Sequence, residues 1–305
     1  MKRFLRRLLA LTFVLFFVHA GTFFMVHSVR GGPFDSDRQL PPQVEKALLA
    51  EYHLDEPLLQ QYAHAVSGVF HGDLGPSLRY RGTRVADVLA EAIPISITLG
   101  GGALFVALLL GIPAGLWAAS RKNKSPDRFV LSVATLCMAL PNFVLAGGLV
   151  ALFSFSWSLL PPAGLGGFRH WLMPCFCLGL PFAAQVARIL RTSALEVLET
   201  PAVLAARARG MDSETLLRRH VLRSALMPVV AFLGPASAGL LTGSLVIEQV
   251  FALPGLGAHF VQAAMNRDYT LALGATLLYT AVLGLFSLFT DFLLARLDPR
   301  MESLS

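Results

Sequence analysis

The 305-residue sequence predicts an all-α membrane protein with six transmembrane helices, and three observations carry that expectation. Hydrophobic residues make up 55% of the chain and charged residues only 14%, and the mean hydropathy is +0.62. The charges are segregated, leaving uncharged runs long enough to cross a bilayer. Positive charge also falls unevenly on the segments between those runs. About 20 apolar residues span the hydrocarbon core as a helix, at roughly 1.5 Å per residue.

In chain order the runs are Leu8 to Val29, Ile93 to Ser120, Phe129 to Phe168, His170 to Ala187, Ser224 to Ile247 and Tyr269 to Thr290. The first follows Lys2, Arg3, Arg6 and Arg7. It is too long for the apolar region of a signal peptide and lacks a small-x-small exit, so it is read as a retained anchor. The third run contains Pro161-Pro162 and Gly164, Gly166 and Gly167, and is read as one helix to about Trp157 followed by an outer loop. The fifth contains Pro228, Gly234, Pro235, Gly239 and Gly243; close packing and a flexing, pathway-lining helix are both open for it.

Six spans put both termini on one side. With the N-terminus inside, the inner segments hold 17 of the 25 lysines and arginines and the outer segments 8. Positive residues are retained at the cytoplasmic face, so both termini are expected in the cytoplasm. The net charge of +6 then reflects topology, and no nucleic-acid partner is expected.

Residues 30–92 are the one sizeable extramembrane stretch, with nine acidic and six basic residues. Amphipathic helices are expected over Val44 to Tyr52 and Pro57 to Phe70, after turn-forming prolines. Val85 to Ala92 reads as an amphipathic approach to the second span at Pro94. About 60 residues is marginal for an independent core, so this segment should pack on the rest of the protein. It serves as a structural cap, a docking platform for a binding protein, or both. The chain therefore divides into 1–29 (N-terminus and first helix), 30–92 (extracytoplasmic helical segment) and 93–305 (five-helix core carrying the loop 188–223).

Several chemistries are excluded or left without residues. None of the four lysines follows a glycine, so there is no G-x-x-x-x-G-K-[ST] phosphate loop, and His-Glu-x-x-His is absent. No carboxylate sits in the middle of a span, which argues against an ion-driven carrier; Glu248 and Asp291 lie near span ends. His19 is expected to face a partner helix or to be satisfied locally rather than to relay protons. Cys137, Cys175 and Cys177 lie in spans and behave as small apolar residues. No cofactor or metal is expected.

The most informative stretch is the polar, arginine-loaded insert between the fourth and fifth runs. Pro201 suits a helix start and Gly210 a helix stop. Between them Ala205, Ala206 and Ala208 offer a thin face flanked by Arg207 and Arg209. Asp212 or Ser213 then caps a second helix running through Arg218, Arg219 and His220 into the fifth span. On residues alone this is a topogenic loop or a handle for a soluble partner.

The pattern resembles the coupling loop of permease subunits in ATP-binding-cassette importers, E-A-A-x3-G-x9-I-x-L-P. Leu204-Ala205-Ala206 and Gly210 align with E-A-A and the glycine; the glutamate is missing, and His220 and Arg223 replace the isoleucine and proline. The peptide-importer branch departs likewise, and its A-R-A-[KR]-G and R-H-x-L-[KR]-x-A-L-x-P runs match Ala206-Arg207-Ala208-Arg209-Gly210 and Arg219 to Pro228. Gly72-Asp73-Leu74-Gly75-Pro76-Ser77, Leu140-Pro141-Asn142-Phe143, Glu248 to Gly257, Asn266-Arg267-Asp268-Tyr269 and Asp298-Pro299-Arg300 extend the likeness over the chain. It is similar to the B-type membrane subunit of oligopeptide permeases; Leu40-Pro41-Pro42-Gln43-Val44 and Tyr52 to Pro57 favour that branch over the dipeptide and nickel branch.

The resemblance implies a type I importer permease fold in a bacterial inner membrane. It also implies a second homologous permease, two cytoplasmic ATPases and an extracytoplasmic binding protein that delivers peptide. Leu204, Ala205, Ala206, Arg207, Ala208, Arg209 and Gly210 would form the ATPase-coupling helix, and the chain would hydrolyse no ATP itself. A peptide exporter or channel subunit, or a membrane scaffold, are the readings from other classes.

Overall fold

The computed structural model describes residues 2–29, 32–34, 42–80 and 82–297, and those residues are almost entirely helical. Leu40-Pro41 and Asp298-Pro299-Arg300 lie outside the described residues. In order the helices are α1 (Lys2–Ser28), α2 (Pro42–Glu51), α3 (Leu58–Phe70), α4 (Val85–Ser120), α5 (Ser125–Ala139), α6 (Asn142–Leu149, prolonged by a wide π-type turn over Val150–Ser156) and α7 (Phe168–Leu198). Then follow α8 (Pro201–Ala208), α9 (Ser213–Leu216), a second wide turn (Leu217–Val221), α10 (Leu222–Ala225), α11 (Met227–Val250), α12 (Leu256–Met265) and α13 (Tyr269–Leu297).

Among the described residues four helices are long and apolar enough to cross a membrane, Arg6–Ser28, Val85–Ser120, Phe168–Leu198 and Tyr269–Leu293, and a fifth crossing results if a bent pair counts as one. Their surfaces point the same way. Phe13, Phe16, Phe17 and Met25 of α1 and Phe105 and Leu109 of α4 are exposed, an apolar exterior that only a non-aqueous surrounding satisfies.

Two expectations change. The run from Phe129 is not one helix: Ser125–Ala139 and Asn142–Ser156 meet at 104°. Leu140 is extended (φ −81°, ψ 128°), because the ring of Pro141 excludes the helical conformation from the residue before it. Second, Val85 to Ala92 is no separate approach. It is the first two turns of the 36-residue α4, which continues through Pro94 and reaches about 54 Å, more than a hydrocarbon core is thick.

The chain forms two compact units. One comprises Met1–Ser96 and Pro254–Gly284. Its core joins Val85, Val88, Leu89 and Ala92 of α4 to Leu256 and Ala263 of α12 and to Leu271, Ala272 and Ala275 of α13. Residues 42–80 pack within this unit, where Tyr62 of α3 lies 5.1 Å from the ring of Phe23 and 5.7 Å from that of His19. His19 is buried, facing this contact.

The other unit comprises Ile97–Leu253 and Leu285–Ser305. Here α7 is the centre, packed on α5, α6 and α11. It also meets α4 along a seam of small residues. A Cβ added at Gly111 would lie 2.6 Å from the carbonyl oxygen of Ala183, and one at Gly115 2.6 Å from that of Ala187. Gly111 and Gly115 stand four apart, the spacing that lets membrane helices touch backbone to backbone. On α11, added Cβ atoms at Gly234 and Gly239 would meet Thr290 at 3.0 Å and Phe182 at 2.9 Å, so these glycines serve close packing. Cys137, Cys175 and Cys177 are buried free thiols.

Candidate functional site

Between α7 and α11 the backbone turns sharply twice, and local chemistry explains both turns. Thr200 is extended (φ −71°, ψ 146°) and Pro201 occupies the first helical position of α8, where a missing N–H costs nothing. Gly210 ends the helix at φ +85°, the left-handed conformation that glycine adopts freely. The carboxylate of Asp212 then accepts a hydrogen bond from Thr215 N (2.9 Å), capping the helical path into α9.

The eight residues of α8 have two unlike faces. Val203 and Ala206 are buried at 3% and 1% exposure in a core with Ala119 of α4, Leu190 and Ala194 of α7, and Leu216, Val221 and Ala225 beyond the turn. Leu204, Ala205, Arg207, Ala208, Arg209 and Gly210 are exposed. The thin face expected from Ala205, Ala206 and Ala208 is therefore split: Ala206 is spent on the chain's own core, and the outward surface is Leu204 and two alanines rimmed by arginines. Helical spacings of three and four residues explain the split, because positions 203 and 206 share one face and 204 and 208 another.

A buried ion pair braces the same end of α7. Asp127 is 1% exposed, and its carboxylate accepts two hydrogen bonds from Arg191 of α7, Nε to Oδ1 at 2.5 Å and Nη2 to Oδ2 at 2.7 Å. Asn123 N also donates to Oδ2 (2.8 Å). The Arg191 hydrogen bond holds the Asp127 carboxyl below the usual carboxylate range, and Asn123 N adds to it against the opposing effect of burial. The short segment 121–124 is thereby tied to α7, and Lys122 reaches Glu199 at the foot of α8 (2.9 Å), an exposed pair of little energetic weight.

The short helix thus has a buried root and an outward surface of small residues and arginines. Comparison with known proteins gives the family of the chain. Residues 111–303 match the model of the family described as binding-protein-dependent transport system inner membrane component. The chain belongs to that family. It is 39% identical over 304 residues to the oligopeptide transport system permease protein OppB of Escherichia coli strain K12, covering 99% of each chain. The OppB of Haemophilus influenzae is 39% identical with the same coverage, and the dipeptide transport system permease protein DppB of Bacillus subtilis is 35% identical over 98% of this chain and 97% of the relative. Among solved structures, an inward-facing form of the MetNI methionine ABC transporter has a TM-score of 0.58 at 18% identity, covering 69% of this chain and 96% of that one. An amino acid ABC transporter gives 0.52 at 18%, covering 69% and 94%. At such identities the likeness concerns the fold, which is that of a type I ABC importer permease.

In this permease other motifs singled out in the sequence meet in space. Ser77 of the Gly72-to-Ser77 run donates from Oγ to Oδ2 of Asp268 in the Asn266-to-Tyr269 run. Asp268 is 1% exposed and further accepts from Leu78 N (3.2 Å), Arg79 N (3.3 Å) and Leu271 N (3.1 Å). Thr270 Oγ1 donates to Pro76 O (2.6 Å). Two turns 190 residues apart are thus knotted by one carboxylate. In the Glu248-to-Gly257 run, Phe251, Leu253 and Leu256 are buried, Gly164 N donates to Phe251 O (2.8 Å), and Leu256 N donates to Ser96 Oγ (2.8 Å).

Sequence reasoning missed the Asp127–Arg191 pair and the inward turn of Ala206. The first left a faint signal, an acidic residue in an otherwise basic loop; the second left none, since three alanines look alike. Gly111 and Gly115 were missed as well, although their spacing of four in an apolar run is a contact signal.

Proposed function

We propose that this chain is the B-type permease subunit of an ABC importer for oligopeptides, half of a translocation pathway driven by partner subunits. The observation that carries the reading is end-to-end identity of 39% with oligopeptide permeases, with 99% of both chains covered. A dipeptide cargo is the second reading, favoured by relatives such as the 36% identical DppB of Lactococcus lactis.

The partners follow from that reading: a homologous second permease, two cytoplasmic ATPases and an extracytoplasmic binding protein. Six crossings are proposed, α1, α4, the bent α5–α6 pair, α7, α11 and α13. The 24-residue α11 reaches about 36 Å, enough for a hydrocarbon core. The 17-to-8 split of basic residues supports cytoplasmic termini and a cytoplasmic α8. There α8 is the coupling helix. Leu204, Ala205, Arg207, Ala208, Arg209 and Gly210 face the ATPase, while Ala206 and Val203 root the helix in the bundle. ATPase closure moves α8, and the buried root transmits that motion to α4, α7 and α11.

Reconstitution with the partner subunits tests the reading. Labelled peptide should enter proteoliposomes with ATP and not without it; outward movement, or movement indifferent to ATP, overturns it.

A further inference from the structure

On α7, opposite its packed face, lies an open groove of about 490 Å³ lined by Gln185, Arg188, Ile189, Thr192, Ser193 and Glu196, with walls from α5 and α11. The positions recur at helical spacing, so they form one stripe. Ala183, Val186, Ala187, Leu190 and Ala194 occupy the other side and are buried. Gln185 lies near the end of the fourth uncharged run, and Arg188, Thr192, Ser193 and Glu196 stand on the continuation of α7 toward the proposed cytoplasmic side, where polar side chains face water at the mouth of the span. Among the described residues neither Arg188 nor Glu196 has an ion-pair partner. The Arg188 guanidinium meets only the sulfur of Met138, Nη1 to Sδ 3.7 Å. A cation and an anion thus stand on one groove wall with their charges unspent, while Arg191, on a neighbouring side of the helix, is consumed by Asp127.

The two are eight residues apart, about 12 Å along the helix. An extended chain covers at most about 3.3–3.6 Å per residue, so three to four residues span the same distance. A short zwitterionic peptide is a molecule with a carboxylate at one end, an ammonium at the other and amides between. The groove offers a guanidinium, a carboxylate and, between them, the hydroxyls of Thr192 and Ser193, with the amide of Gln185 one turn beyond Arg188.

We infer that this stripe is a peptide-binding stretch of the translocation pathway, with Arg188 taking the peptide's C-terminal carboxylate and Glu196 its N-terminal ammonium. The inference rests on the reading of the chain as a peptide permease subunit. Arg188 is the stronger specificity element, because a guanidinium matches a carboxylate with two parallel hydrogen bonds.

The test uses the complete transporter in proteoliposomes and three labelled cargoes: trialanine, trialanine amide and N-acetyl-trialanine. The same binding protein delivers all three in every assay, so its own preference cancels when each variant is divided by wild type. Arg188→Gln should slow trialanine uptake at least roughly tenfold, the loss of the charge-assisted pairing, while leaving the amide at the wild-type rate. Glu196→Gln should slow trialanine and spare the N-acetyl peptide. ATPase assembly, checked by co-purification, should be unaffected in both. If Arg188→Gln slows trialanine and its amide equally, the arginine serves lipid or structure and the inference fails; it fails too if both cargoes move at wild-type rates. Absence of ATP-dependent uptake by the wild type would instead strike the function reading, before the variants are compared.

Discussion

Asp127 shows how much a single side chain holds here. It accepts three hydrogen bonds while almost fully buried, and its partner Arg191 is 18% exposed, so neither charge has water to fall back on. Removing one partner of such a pair typically costs about 3–5 kcal/mol, because the other charge stays buried. Asp127→Asn should therefore lower the thermal unfolding midpoint of the purified protein, and adding Arg191→Gln should recover part of the loss. A double variant no better than the single one counts against the pairing. The pH dependence has a definite sign. The folded carboxyl is held below its unfolded value of about 3.9, so the contribution is complete above that value. It is lost as pH falls through the lower folded value. The stability gap between wild type and Asp127→Asn should stay constant from about pH 8 to pH 5 and close only in acid. A gap that closed near neutrality would point to a different group.

Among the elements α8 is the most exposed to test, because its two faces predict opposite outcomes for one chemical change. Ala205 is exposed and Ala206 is 1% exposed in the chain's own core. Ala206→Trp should overfill that core, at about 1–3 kcal/mol or more, and lower the stability of the isolated subunit. Ala205→Trp should leave that stability unchanged but weaken ATPase co-purification and peptide uptake if the outward face is the proposed contact. Normal assembly and uptake by Ala205→Trp would return the loop to a topogenic connector. Arg207 and Arg209 were visible in the sequence as an interface signal. Which alanine faced inward was not, since that depends on Leu190, Ala194 and Val221, which arrive from elsewhere in the chain.

For the whole molecule the open quantity is orientation across the membrane. The distribution of lysine and arginine predicts that a cysteine at Asp73 reacts with an impermeant thiol reagent in intact cells and one at Asp212 does not. The native thiols are buried, which keeps their background low. Reversed labelling would overturn the proposed orientation and the import mechanism with it. Helix length enters here too: α4 outruns the hydrocarbon core, so its first turns, Val85 to Ala92, stand with α12 and the start of α13 rather than in lipid.

Membrane helices are legible because lipid imposes a one-dimensional rule: every backbone group must be paired within its own segment, so apolar length alone marks a span. That is why α1, α4, α7 and α13 stand where uncharged runs predicted them, and why Pro201 and Gly210 delimited α8 from local backbone preference. The break at Leu140–Pro141 was also local chemistry, left unread because the run around it was uniformly apolar. Only the tertiary structure decided that Asp127 finds Arg191 across 64 residues, that Ser77 finds Asp268 across 191, and that Ala206 turns inward while Ala205 turns out. Periodicity says which residues share a face, but a face acquires its role only when another part of the chain, or water, comes to lie against it.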